Sequence, residues 1–599
     1  MAYQERHNRA TALWMQFVGW RERHFKENRF VIFLSLFIGV LCGFAAQLLK
    51  YLIHLIGGFL TSYINVAEAN YLYLIYPAAG ILASYLFVRF VVKDKISHGV
   101  TRVLYAISQR KSRLKKKFMW ASMISSAITI GFGGSVGAEG PIVFTGAAIG
   151  SNVGQAFRLS PKILMILVGC GAAAGIAGIF RAPIAGMLFT LEVLMIDLTA
   201  VTVMPLLIAS ISGAVVAYVL EGYNSEFFFS MSEPFMTSKI PYTVILGVIC
   251  GMVSLYFTKM MFFTEGIFRK IKSPLIKIIS GSLVVMILIF LFPPLYGEGY
   301  GAIDQLLDGE TSSIVDGTFF YFDRHSVWFI ALFIALIILT KVFATASTTG
   351  AGGVGGTFAP SLFVGAMTGF LFAYVLNTLD IGIVLSQKNF ALMGMAGVMA
   401  GVMHAPLMAI FLTAEMTGGY DLFLPLLIVS ALSYMTIKAF VPYSIYSLRL
   451  AQTGELMTHA KDKTVLTLLS IESLVETDFK EVNPKMTLRE VVDIISKSKR
   501  NIFPVTDEEG NFIGMVLLDD IRNIMFRTDL YDKMTVSRFM AMPPARIQIS
   551  DSMETVMRTF DDTNAWNLPV VDGDRYLGFV SKSKIFNSYR DVLRNYSDD

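Results

Sequence analysis

The chain has 599 residues, 54% of them apolar, and a mean hydropathy of +0.59. Values so far from those of a soluble enzyme imply a multi-span membrane protein. The net charge of +5 is small and the basic residues gather in short loops, which argues against a nucleic-acid partner.

In chain order, residues 1–29 read as a cytoplasmic N-terminal segment. Arg21, Arg23, Lys26 and Arg29 interrupt anything that could serve as the apolar core of a cleavable signal. Apolar runs then recur to about residue 440, among them Phe30 to Leu49, Tyr71 to Val92, Ile163 to Ile179, Val327 to Leu339 and Leu422 to Phe440. Several fall short of the ~20 residues of a straight span, and glycine or proline breaks many. Broken spans are tolerated only where they line a cavity or lie buried in protein, so they point to a transport site. Two basic loops, Arg110 to Lys117 and Arg269 to Lys277, should face the cytoplasm by the positive-inside rule. Cys42, Cys170 and Cys250 sit in apolar runs with neither a disulfide framework nor metal-ligand spacing, and read as core residues.

Between Gly131 and Gly150, Glu139 stands alone among small and apolar residues. A carboxylate isolated in a membrane segment is costly enough to mark a functional site. Pro141 suits the first position of a helix, the glycines before it let backbone amides approach a ligand, and a helix N-terminus carries about half a positive charge. Together these features describe an anion site with a carboxylate set in its mouth.

This stretch has a counterpart. Laying Pro141 on Pro360 brings Gly137, Gly146 and Gly150 onto Gly356, Gly365 and Gly369, a shift of 219. At a shift of 223, Ala182-Pro183, Gly171, Gly178 and Glu192 fall on Ala405-Pro406, Gly394, Gly401 and Glu415. Two halves, about 30–220 and 240–440, thus share Gly-x3-Pro followed by Ala-Pro-x8-Glu, and repeats with discontinuous helices put the binding site at their interface. Phe358 takes the place of Glu139, so one half alone carries the ionisable group.

From about residue 456 charged and apolar residues alternate, and a second repeat appears at a shift near 64. Thr487 to Glu490 and Asp551 to Glu554 read as capping-box starts of two short helices. Pro504-Val505 and Pro569-Val570 then end two strands, Glu509-Gly510 and Asp572-Gly573 turn, and new strands begin near Gly514 and Gly578. The pattern resembles a pair of CBS domains, at about 470–530 and 534–595.

Gly137-Ala138-Glu139-Gly140-Pro141, Gly356-Thr357-Phe358-Ala359-Pro360 and the two Ala-Pro-x8-Glu tracts, in this order and ahead of a CBS pair, resemble the CLC family of chloride channels and chloride/proton antiporters. The resemblance covers about residues 30–455. It implies a multi-span α-helical membrane protein with an inverted internal repeat of broken helices, followed by a cytoplasmic α/β CBS domain pair, in a cell membrane. It also implies a homodimer, surrounded by lipid, that moves chloride or a similar small anion through a pore gated by a protonatable glutamate. The pore would be a voltage- or pH-gated channel or a proton-coupled exchanger, not an enzyme.

Residue by residue, the resemblance makes Glu139 the gate and gives the anion site the backbone of Gly140, Thr357 and Phe358. The family's Gly-Ser-Gly-Ile-Pro is matched best by Ser97-His98-Gly99-Val100-Thr101, so His98 would replace a hydroxyl donor beside Gly99. Ser97 takes that place if the register slips by one; a histidine at a helix start near a cytoplasmic loop is the plainer alternative. Tyr446 matches the inner tyrosine, with Tyr443 as competitor. Two positions depart from the family: Ala138 stands where a basic residue is usual, and Val193 where antiporters carry an internal glutamate. Glu192 and Glu415 read as structural. No cofactor is required, but an adenine nucleotide at the CBS pair would meet Asp520 after Gly514 and Ser581 after Gly578, each half of the usual motif. A CBS-regulated divalent-cation transporter is the alternative function. It would want several intramembrane carboxylates on one path.

Overall fold

The computed structural model describes residues 19, 21, 23–24, 26–62, 74–94, 96, 98–109, 112–222, 235–308, 314–315, 326–380, 382–451 and 470–588. The chain divides into two compact units, Met1–Leu456 and Met457–Asp599. Ser97 and most of the N-terminal segment lie outside the described residues.

Among the described residues the first unit is built of helices joined by loops. Its first half runs α1 (Glu27–Ser62), α2 (Ile75–Leu86, continuing as a π-turn over Phe87–Val92), α3 (Gly99–Gln109), α4 (Phe118–Gly131), α5 (Glu139–Ala156), α6 (Pro161–Phe180), α7 (Pro183–Glu192) and α8 (Ala200–Glu221). Its second half runs α9 (Ile240–Lys270), α10 (Pro274–Leu291), α11 (Tyr300–Asp308), α12 (Val327–Gly350), α13 (Phe358–Thr378), α14 (Gln387–Met403), α15 (Pro406–Met416), α16 (Phe423–Lys438) and α17 (Ile445–Ala451). Among the described residues eight helices are long and apolar enough to cross a membrane, while α4, α7, α15 and α16 are apolar but shorter. Outer helices expose apolar side chains such as Phe33, Phe59, Leu275 and Ile279. This is a multi-pass membrane unit with broken helices.

The repeat is conformational as well as sequential. Gly134 donates its N–H to the Thr129 carbonyl, and Gly353 does the same to Thr348, 219 residues on. Left-handed residues end α6 at Arg181 and α14 at His404, 223 apart. The inner helices cross backbone to backbone. A Cβ on Gly146 or Gly171, or on Gly365 or Gly394, would collide with a carbonyl oxygen of the facing helix, so at these crossings α5 meets α6 and α13 meets α14 through glycine. One expectation shifts: α5 begins at Glu139 and α13 at Phe358, so Pro141 and Pro360 stand third in their helices. That is still within the first turn, whose N–H groups have no helical partner.

In the second unit β1 (Ile502–Thr506) and β2 (Phe512–Leu517) form an antiparallel pair, extended by a parallel bridge from Val482 to Val505. The second copy repeats this with β3 (Ile547–Gln548) parallel to β4 (Asn567–Asp572) and β5 (Arg575–Ser581) antiparallel to it. Glycines at positive φ, Gly510 and Gly573, turn both hairpins, and the strands resume at Phe512 and Arg575, two to three residues before the expected Gly514 and Gly578. Thr487 and Glu490 form the expected capping box. In the second copy the cap moves one residue: Ser552 accepts the Thr555 N–H at 3.2 Å, while the Asp551 carboxylate takes the N–H of Gln548 at 2.8 Å. At this cap the shift between the copies is therefore 65, which lays Ser552 on Thr487. Phe512, Met515, Val571 and Phe579 pack the copies together.

Candidate functional site

The two Gly-x3-Pro loops, 219 residues apart, bind each other. Gly137 and Gly356 exchange both backbone hydrogen bonds, N–H to O=C, at 3.0 and 2.6 Å. The exchange draws the N-termini of α5 and α13 to one point. Gly99, at the start of α3, lies against the Gly140 carbonyl so closely that a Cβ there would overlap it. Thr101 on α3 donates to the Tyr446 carbonyl at 3.3 Å, which brings in α17. Four helix starts thus converge, and two of them, α5 and α13, turn first-turn amides, those of Glu139 and Ala359, toward the point where they meet.

Glu139 lies at this point, 1% exposed. Its side chain folds back over Gly137, facing its own amide and that of Ala359 on α13. The Tyr300 phenol donates to Oε1 at 2.8 Å, and Oε2 has no hydrogen-bond partner. Farther along, the buried hydroxyls of Thr357 and Tyr446 are neighbours and neither has a partner in hydrogen-bond geometry. Phe358 stacks on Phe180 with ring centroids 5.5 Å apart and walls this end. Tyr443 is half-buried, whereas Tyr446 is 4% exposed. Partial positive charge at the helix starts, two unpaired hydroxyls and a buried carboxylate meet here, a chemistry suited to an anion.

Glu139, Gly99, Gly140, Thr357, Phe358 and Tyr446 are thus brought together, while Ser97 lies outside the described residues. His98 (φ +60°) places its imidazole beside Glu265, with Nε2 3.9 Å from Oε1. Arg449 clasps the same carboxylate through Nε and a second guanidinium nitrogen. Val193 is buried and apolar. Glu192 and Glu415 cap each other's repeat: Glu415 accepts the amides of Ile184 and Ala185 at 3.0 and 2.9 Å, and Glu192 those of Leu407 and Met408 at 3.1 and 2.8 Å. In the second unit the Ser581 hydroxyl donates to Glu476 at 2.8 Å, and Asp520 is exposed after β2.

Sequence reasoning missed the turn that covers Glu139. Glu298 accepts the Ala138 amide at 2.9 Å, two residues before Tyr300. Lys341, fully buried on α12, reaches the carbonyls of Leu295 and Gly297 at 3.5 and 3.2 Å and lies over the Phe363 ring. The signal that singled out Glu139, a lone charge in an apolar run, was also present at Lys341.

A family model described as voltage gated chloride channel matches residues 79–438, and the CBS domain model matches 471–527 and 536–591. A putative chloride channel protein, ClcB-like, of Ralstonia nicotianae is 29% identical over 387 residues, 64% of this chain and 86% of that one. An H(+)/Cl(-) exchange transporter, ClcA, of Vibrio cholerae is 24% identical over 436 residues, 71% and 89% of the two chains. The solved structure of a slow cyanobacterial Cl-/H+ antiporter superposes with a TM-score of 0.61 at 20% identity, over 72% of this chain and 98% of that one. With a family match over more than half of its length and two CBS domains behind it, the chain belongs to the voltage-gated chloride channel family.

Proposed function

We propose that the protein moves chloride, or a small anion like it, across the membrane along a path on which Glu139 is the gate. The observation that carries this reading is the Gly137–Gly356 exchange, which aims two helix starts at the place the Glu139 carboxylate occupies. Ionised, the carboxylate competes with the anion for these amides; protonated, it loses that attraction and leaves. A cation transporter is disfavoured at the same place, because converging helix N-termini repel positive charge.

The test is chloride efflux from liposomes, with external pH recorded in parallel, for wild type and Glu139→Gln. Chloride-driven proton movement abolished by the substitution identifies an exchanger whose proton route bypasses Val193. Fast flux without proton movement identifies a channel. Absence of chloride flux in both proteins rejects the reading. Glu265 and His98, beside Arg449 and one turn along from Tyr446, are titratable groups such a bypass could use.

We assign the basic loops, the N-terminal segment and the CBS pair to the cytoplasmic side and propose a homodimer with one path per subunit, sealed in lipid. Transport needs no cofactor in this reading. An adenine nucleotide near Asp520 and Ser581 would regulate it, displacing the Ser581–Glu476 hydrogen bond. Titration with ATP and AMP, followed by melting of the protein, checks this.

A further inference from the structure

The turn over Glu139 is built more firmly than a loop at a pore mouth requires. Gly297 and Gly299 take left-handed backbone (φ +62° and +93°), which reverses the chain sharply before α11. Gly297 donates to the Gly133 carbonyl at 3.1 Å. Gly133 in turn lies so close under the Tyr296 ring that no side chain fits there. From the other side Lys341 holds the Leu295 and Gly297 carbonyls, with Phe363 beneath its ammonium. Elements from both halves therefore fix this turn. Its two inward groups both meet the Glu139 loop: Glu298 on the Ala138 amide and Tyr300 on the Glu139 carboxylate.

We propose that Tyr300 is a latch on the gate: its phenol holds the Glu139 carboxylate in the anion site, so the turn, as well as the competing anion, sets how readily the gate leaves. The inference rests on the reading of Glu139 as the gate and adds a positioning residue to it. The chemistry is asymmetric. A phenol O–H donates more strongly to a carboxylate than to a neutral carboxyl, so the latch grips the ionised gate and slackens when a proton arrives. Among the described residues, the charged and titratable groups around Glu139 are Tyr300 itself, Glu298 and Lys341 on the turn side and Tyr446 on the α17 side. Of these, Tyr300 alone is hydrogen-bonded to the carboxylate. Phenylalanine at 300 removes that bond and leaves the ring.

The experiment is the pH profile of chloride efflux from liposomes for wild type, Tyr300→Phe, Glu139→Gln and the double variant. Tyr300→Phe should move the half-maximal pH upward by about one unit, the equivalent of a tenfold easier protonation, and raise flux at neutral pH several-fold. In the Glu139→Gln background it should change nothing. A Tyr300→Phe profile that coincides with wild type overturns the latch while Glu139→Gln still flattens the profile and keeps the gate. A Glu139→Gln protein with the wild-type pH response overturns the gate, and the latch with it. If Tyr300→Phe does not purify as a monodisperse protein, Tyr300→Leu carries the same comparison, because it too removes the donor.

Discussion

Tyr446→Phe separates a structural hydroxyl from one that serves an ion. The substitution deletes one buried oxygen that has no hydrogen-bond partner and leaves the packed ring in place. An unpaired buried hydroxyl costs roughly 1–3 kcal/mol, so in gluconate the variant should melt at or above the wild-type temperature. In chloride the sign reverses. A hydrogen bond to a charged partner is worth about 1.5–3 kcal/mol, so its loss should weaken anion binding tenfold or more. Chloride at 100 times the wild-type Kd stabilises the wild type by about 2.7 kcal/mol. At a tenfold weaker Kd the same concentration supplies only about 1.4 kcal/mol, so the chloride-induced rise in Tm should fall to about half. Fluorescence-monitored melting of the detergent-purified proteins, in chloride and in gluconate, reads both effects. An undiminished chloride response in Tyr446→Phe refutes the contact with the anion, and a lower Tm in gluconate reveals a structural partner instead.

Other expectations follow from the packing. Gly171→Ala would drive a methyl into the Gly146 carbonyl, at or beyond the upper end of the ~1–3 kcal/mol usual for overpacking; size-exclusion should show loss of monodisperse protein, and normal elution and melting would contradict the backbone crossing. Glu415→Gln keeps the shape of the cap on α7 but loses its charge, which should cost about 1–2 kcal/mol and appear as a lower Tm; Glu192→Gln should match it, and an unchanged Tm in both would mean the caps carry no stability. Burial works against ionisation of Asp94, in the loop after the π-turn, but the Lys115 and Lys117 ammoniums outweigh it and hold its pKa at about 2. Because the folded value lies below the unfolded one, its stabilisation is complete at neutral pH and is lost as pH falls from the ordinary carboxylate range toward 2. The Tm gap between wild type and Asp94→Asn should thus be constant from pH 7 to 5 and shrink below about pH 4.

The amino-acid sequence by itself determined the features whose physical cause is local. A carboxylate amid apolar residues, prolines in first helical turns and glycines at matched spacing each declare themselves, because desolvation cost and backbone freedom belong to single residues. Glu139, both repeats and the two kinds of unit were legible for this reason, and Lys341 was legible by the same rule. Tertiary structure alone decided who meets whom. Gly137 pairs with Gly356 across 219 residues, Glu298 meets Ala138 across 160, and Tyr300 meets Glu139 across 161. His98 is the sharpest case: its position in the motif directed it to the anion, yet its imidazole faces Glu265 and Arg449, residues far off in the chain. Short-range periodicity carries no information about such partners, since each contact is selected by the close packing of helices whose order in space the linear pattern does not encode.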